Sequence, residues 1–145
     1  MGGGAVLGLR WALAATVMLS AIPGMARQKT ESRKLIPEGD WGGNHVSMIV
    51  AGNSARLDFD CAHGTIEGPL TLDAESRFDL RGSFVKEHGG PIRRGEESAP
   101  GEPARYQGKL DGDTIAFEVL LSGSGKSVGS FTASLGKAAR VHKCL

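Results

Sequence analysis

From Trp41 onward the chain alternates apolar and polar positions with a period of two, the spacing of strands that bury one face. Val46, Met48 and Val50 alternate with polar or small residues, and Gly52-Asn53 marks a turn. Ala55, Leu57, Phe59 and Cys61 then alternate with Arg56, Asp58 and Asp60, so one face is apolar and the other charged. His63 and Gly64 break this run. Ile66, Leu70 and Leu72 predict a third strand, which Pro69 restricts to an edge or a bulge. After a turn at residues 73–76, Phe78, Leu80, Gly82 and Phe84 alternate with Arg77, Asp79, Arg81 and Ser83. Residues 87–103 carry Gly, Pro and charge without an apolar period and predict a long loop. Ala104 to Leu110, Ile115 to Leu121 and Gly129 to Leu135 resume the alternation, with turns at Asp111-Gly112 and at residues 122–127. A final segment, Ala139 to Leu145, completes about eight short strands at roughly ten-residue spacing.

That pattern predicts an all-β domain, a small antiparallel up-and-down barrel of about eight strands. Closure removes exposed edges, and eight strands enclose an interior that is either filled or holds one small ligand. A disulfide between the second and last of these strands fits closure, because the last strand must return near the first.

Before the strands the pattern changes. Arg10 precedes an apolar run from Trp11 to Ile22, followed by Pro23, Gly24, Met25 and Ala26. A basic start, a short apolar stretch and small residues at a cleavage position make a secretory signal peptide over residues 1–26. Pro23 ends the run short of a membrane span. No stable membrane insertion is therefore expected after cleavage, and the protein is expected to be exported, periplasmic or extracellular. Residues 27–40 (RQKTESRKLIPEGD) are polar and aperiodic, and predict a flexible N-terminal arm. Its deletion is expected to leave the melting temperature nearly unchanged. Residues 41–145 then form the single barrel domain.

Composition refines this picture. The chain has 145 residues, 22 of them Gly, with 6% aromatics. Many turns and a small core follow. Lys+Arg is 17 and Asp+Glu 16, and loss of residues 1–26 removes Arg10 alone, which leaves the mature chain formally neutral. Along the sequence the basic residues do not cluster, so no nucleic-acid partner is expected. The two cysteines, in an exported chain, predict the disulfide Cys61–Cys144. One alternative uses the same residues. Cys61 with His63, and His142 with Cys144, are each two apart, so on neighbouring strands they form a Cys2His2 set able to hold zinc.

Other chemistry is thinner. Gly125-Lys126-Ser127 resembles the end of a phosphate-binding loop, but Leu120 stands where the required Gly belongs, and a strand rather than a helix follows. Asp58, Asp60 and His63 are near one another, yet the carboxylates face away from the apolar side. Ser47, Ser83 and Ser130 lack a nucleophile-elbow pattern. His88-Gly89-Gly90 reads as a glycine turn in the long loop. No catalytic residue, cofactor or enzyme activity is expected.

Gly39-Asp40-Trp41, a G-x-W element just before the first strand of an exported barrel, resembles the calycin superfamily. That group includes lipocalins, avidins and small bacterial periplasmic metalloprotease inhibitors. The resemblance implies that Trp41 packs across the barrel base under a basic side chain from the last strand, a place Arg140 or Lys143 would fill. It also implies binding without catalysis. The chain departs from lipocalins in its length and its lack of a C-terminal helix. It lacks the Trp-rich interior of avidins, having only Trp11 and Trp41. The protease inhibitors match in size, export and single disulfide; they act through an N-terminal arm, which residues 27–40 would supply. Two expectations follow. One is a barrel that binds a protein partner, such as an enzyme that it inhibits, through the arm and the 87–103 loop. The other is a small apolar ligand inside, among Met48, Leu57, Phe59, Phe78, Phe84, Phe117 and Phe131, with Gly82, Gly108 and Ala133 leaving space. A secreted enzyme or a metal-binding barrel is the alternative to both.

Overall fold

The computed structural model describes residues 1–4, 8, 33–91, 94 and 101–144. The signal peptide expected over 1–26 lies outside the described residues apart from 1–4 and 8, which are exposed and irregular. Met1–Thr30 forms a unit of its own, apart from Glu31–Leu145. Among the described residues no helix is long and apolar enough to cross a membrane.

The second unit is an all-β, closed, antiparallel up-and-down barrel of eight strands. They are β1 (Gly39–Gly43), β2 (Val46–Ala51), β3 (Ser54–Phe59), β4 (Ala62–Glu67), β5 (Arg77–Lys86), β6 (Glu102–Asp111), β7 (Thr114–Leu121) and β8 (Ser127–Leu135). Each strand pairs with its neighbour in sequence. The ring closes where β1 meets β8, with Trp41 opposite Leu135 and Gly43 opposite Ala133. Period-two burial follows from the pleat: β3 reads exposed, buried, exposed, buried along Ser54-Ala55-Arg56-Leu57.

The strand count agrees with the sequence reading, but two of its members differ. Gly39–Gly43, placed before the first strand, is itself a strand. Its glycines hide the alternation, and Trp41 alone projects inward, 1% exposed. Conversely, of the segment 139–145 expected as the last strand, the described residues 139–144 make only an isolated parallel bridge at Asn44–Arg140. The tail follows β1 instead. The Gly136 N–H bonds to the Asp40 carbonyl, the Arg140 N–H to the Gly43 carbonyl, and the His45 N–H to the Arg140 carbonyl. Only glycine fits beneath it at residue 42, where an added Cβ would lie 1.9 Å from the Lys137 carbonyl oxygen.

The third predicted strand also moves. β4 begins at Ala62, and His63 and Gly64 lie within it. Leu70 and Leu72 are buried but outside the sheet, where they meet the segment before β1. The Ile36 N–H bonds to the Leu70 carbonyl, and the Leu72 N–H to the Lys34 carbonyl. Ile36 is 3% exposed and belongs to the core. The flexible arm expected over 27–40 is therefore corrected from Lys34 onward: that part pairs with residues 70–72 and packs through Ile36, while Leu35 beside it stays exposed. Residues 27–32 lie outside the described residues. The long loop is likewise shorter than 87–103, since Glu102 and Pro103 already pair with Phe84 and Ser83.

Candidate functional site

The barrel interior is the first place to look for a ligand. A row of rings crosses it: Phe84 to Phe59 at 5.8 Å between centroids, Phe59 to Phe131 at 4.6 Å, Phe131 to Phe117 at 5.7 Å and Phe117 to Tyr106 at 6.3 Å. All are tilted contacts, the arrangement that aromatic quadrupoles favour. The inner glycines do not open space beside them. An added Cβ at Gly64 would lie 2.1 Å from the Tyr106 hydroxyl oxygen, and one at Gly82 would lie 2.0 Å from the Thr65 carbonyl oxygen. At Gly108 it would lie 2.6 Å from Phe117 and 2.7 Å from Phe78. Large neighbours occupy these places. Tyr106 is fully buried and donates its hydroxyl to the Ser83 carbonyl at 2.6 Å. Burial pushes its phenol well above its ordinary pKa.

Trp41 sits at 1% exposure and donates Nε1–H to the Pro37 carbonyl at 3.1 Å. The residue expected above it, Arg140, has an exposed side chain, and its backbone bonds to Gly43 and His45. Lys143, the other candidate, turns to Asp58, the Ala62 carbonyl and Glu87. Both belong to the tail rather than to a strand, so neither has the backbone position that the resemblance implied.

The second concentration of chemistry lies at the barrel end where the β1–β2 and β3–β4 turns meet the tail. Cys61 and Cys144 form the predicted disulfide, with Cα atoms 4.9 Å apart and a sequence separation of 83. It joins the β3–β4 turn to the tail rather than two strands. Both thiols are consumed, so the Cys61, His63, His142, Cys144 zinc set loses its two sulfur ligands. His63 instead meets Glu87 at 2.7 Å, and the His142 ring faces His45 with centroids 6.4 Å apart. Among the described residues no group of three or more His, Cys, Asp and Glu is placed to hold a metal.

What gathers here is a clasp. The His142 N–H donates to Asp60 Oδ1 at 2.7 Å, and the His45 ring pairs with Oδ2. That backbone bond first, and the His45 contact after it, hold the exposed Asp60 carboxyl below its usual range against some desolvation. At Glu87, partial burial works to raise the pKa, but hydrogen bonds from His63 and Lys143 outweigh it and the result is lowered. Lys143 also loses some hydration, yet Asp58 at 2.8 Å and Glu87 at 3.3 Å leave its pKa raised. Of the three non-glycine residues with positive φ among the described residues, two lie in these turns: His45 at 66° and Cys61 at 52°. Such backbone is uncommon outside Gly, Asn, Asp and His. Here the disulfide and the His45–Asp60 contact hold it.

The remaining sequence candidates fall elsewhere. Ser83 Oγ bonds to Thr65 Oγ1 at 2.8 Å. Gly125-Lys126-Ser127 closes the β7–β8 turn, with the Gly125 N–H on the Leu121 carbonyl, and β8 follows. The clasp side chains His63, Glu87 and Lys143 come from distant stretches, and only the disulfide pairing signalled their approach. No family model matches the chain, and no curated protein or solved structure matches it either.

Sequence reasoning missed one further grouping. Register places Arg77 opposite Lys109 and Arg81 opposite Arg105 on the outer face of β5 and β6. Alternation put each of these residues outward, but only strand pairing brings them together.

Proposed function

We propose that this chain is an exported, non-catalytic barrel that binds a protein partner on its outer surface. The observation that supports this reading is the interior: a continuous row of aromatic rings, with the inner faces of Gly64, Gly82 and Gly108 occupied by neighbours. A ligand-carrying pocket is concave and largely pre-formed. Filled interiors leave the outside to do the binding. The Cys61–Cys144 disulfide is in keeping with an oxidising compartment. The resemblance carried by Gly39-Asp40-Trp41 adds the class of partner, an enzyme that the barrel would inhibit.

Native intact mass of protein from the extracytoplasmic fraction, with titration of a fluorescent long-chain fatty acid, tests the reading. The expected result is an oxidised chain beginning at Arg27, no retained small molecule and no saturable uptake of the fatty acid. A retained apolar molecule, or stoichiometric uptake, would overturn it.

A further inference from the structure

The outer face of β5–β6 carries a grouping that works against the fold. Arg77 stands directly opposite Lys109, and Arg81 directly opposite Arg105. Like charges facing each other across two strands are destabilising. Between the two pairs, Asp79 is engaged by Arg105 through Nε at 3.0 Å and through Nη2, and by Gln107 at 3.1 Å. Among the described residues, Arg77, Arg81 and Lys109 make no ion pair. Three cations are therefore left free on one exposed sheet face.

Beside Arg81 the surface dips. An open depression of about 350 Å³ is lined by Thr65, Glu67, Arg81, Gly82 and Ser83. Thr65 and Ser83, joined through their hydroxyls at 2.8 Å, line it together with the longer side chains of Glu67 and Arg81. Glu67 borders the depression, so an incoming carboxylate would meet the Arg81 guanidinium from the β6 side, opposite Arg105, where its planar fork favours two-point contact.

We propose that this face docks an acidic surface of a protein partner. The inference rests on the outer-surface reading above and names the chemistry of that partner. Charge complementarity selects it over other anions. The free cations lie in two groups, four residues apart along β5, a span of about 13 Å. Asp79 occupies the middle, Glu118 flanks the face from β7 opposite Gln107, and Glu67 flanks it from β4. A phosphate backbone or a sulfated glycan carries closely spaced negative charge and would be repelled at those three carboxylates. Discrete acidic side chains about 13 Å apart would not. The face also lacks the aromatic platforms that stack nucleic-acid bases.

The test is fluorescence anisotropy with a labelled peptide that has Glu at every fourth position and no basic residue. It is run at about 50 mM salt, where exposed charges are little screened. Three proteins are compared: wild type, R77T/R81T/K109T, and K34T/K126T/K137T, which loses the same charge from exposed positions away from this face. The first variant is expected to weaken binding by about tenfold or more, and the second by less than about twofold. The melting temperature of the first should hold or rise, because its like-charge pairs are relieved. If it does not fold, R81T alone, beside the depression, carries the comparison. No binding by wild type, equal loss in both variants, or tighter binding of heparin or duplex DNA than of the peptide would each overturn the inference. Those failures leave the outer-surface reading standing; an apolar molecule retained in the barrel removes that reading itself.

Discussion

Removing the disulfide tests how the tail stabilises the barrel. In the double variant Cys61→Ala/Cys144→Ala the native hydrogen bonds of the tail remain available: His45 to Arg140, Cys61 to His142 and His142 to Asp60. The loss therefore falls mainly on the unfolded state. For a sequence separation of 83, loop-closure entropy gives about 4.5 kcal/mol. With a guanidinium m-value of about 3 kcal/mol/M, the midpoint should fall by about 1.5 M. The m-value should rise as well, because the opened chain exposes more surface when unfolded. Cys61 carries a φ of 52°, a conformation that costs a side-chain-bearing residue about 1 kcal/mol. Cys61→Gly/Cys144→Ala should then recover about 1 kcal/mol relative to the alanine pair. Equilibrium denaturation in oxidising buffer reads all three quantities. A midpoint shift below about 0.3 M with an unchanged m-value would refute the reasoning.

Truncation gives the second test: removing residues 27–33 should leave the melting temperature within a degree or two, whereas Ile36→Ala should cost about 2–3 kcal/mol by chemical denaturation, since Ile36 is buried against the chain at Leu70. The chain has one tyrosine, so absorbance at alkaline pH reports Tyr106 alone. Its phenol is raised by burial, so the folded state holds the proton while the unfolded state releases it near pH 10; stability should fall above about pH 10, and no phenolate should appear before unfolding. In acid the sign reverses. Asp60 and Glu87 are lowered in the folded state, so their contribution is present above the usual carboxylate range and lost as pH falls below about 4. The protection factor of the His142 amide, its exchange rate divided into the intrinsic rate at the same pH, should fall over that window in wild type. Asp60→Asn should flatten the dependence, and a wild-type protection factor that does not change with pH would contradict the clasp.

Much of the barrel was legible because its inner faces are spelled in large side chains. Leu57 and Phe59 on β3, Phe78 and Leu80 on β5, and Ile115, Phe117 and Val119 on β7 alternate cleanly and are all buried. Strands failed to show where small residues face inward. β1 offers Trp41 between glycines, and β4 begins Ala62-His63-Gly64, where Gly64 makes room for Tyr106. Leu70 and Leu72 misled for the opposite reason: their spacing is that of a strand, but they cap the core from a connection. The clasp was half legible. Cysteine arithmetic gave the covalent bond, while His63, Glu87 and Lys143 meet only once the register of β4 and β5 is fixed. The cationic face is wholly a product of register, which alternation within single strands does not encode.

The seam between β1 and β8 has a kinetic side. Seven of the eight strand pairings join neighbours in sequence, but closure must bring Gly43 to Ala133 across the whole barrel. Once Cys61 and Cys144 are joined, the shortest covalent path between those two residues drops from about ninety residues to about thirty, which lowers the loop-closure cost by about 1 kcal/mol. An oxidised chain should therefore close its barrel about fivefold faster than a reduced one. Under oxidising conditions the order of events, bond before seam or seam before bond, then sets how long two unpaired strand edges stay open to other chains.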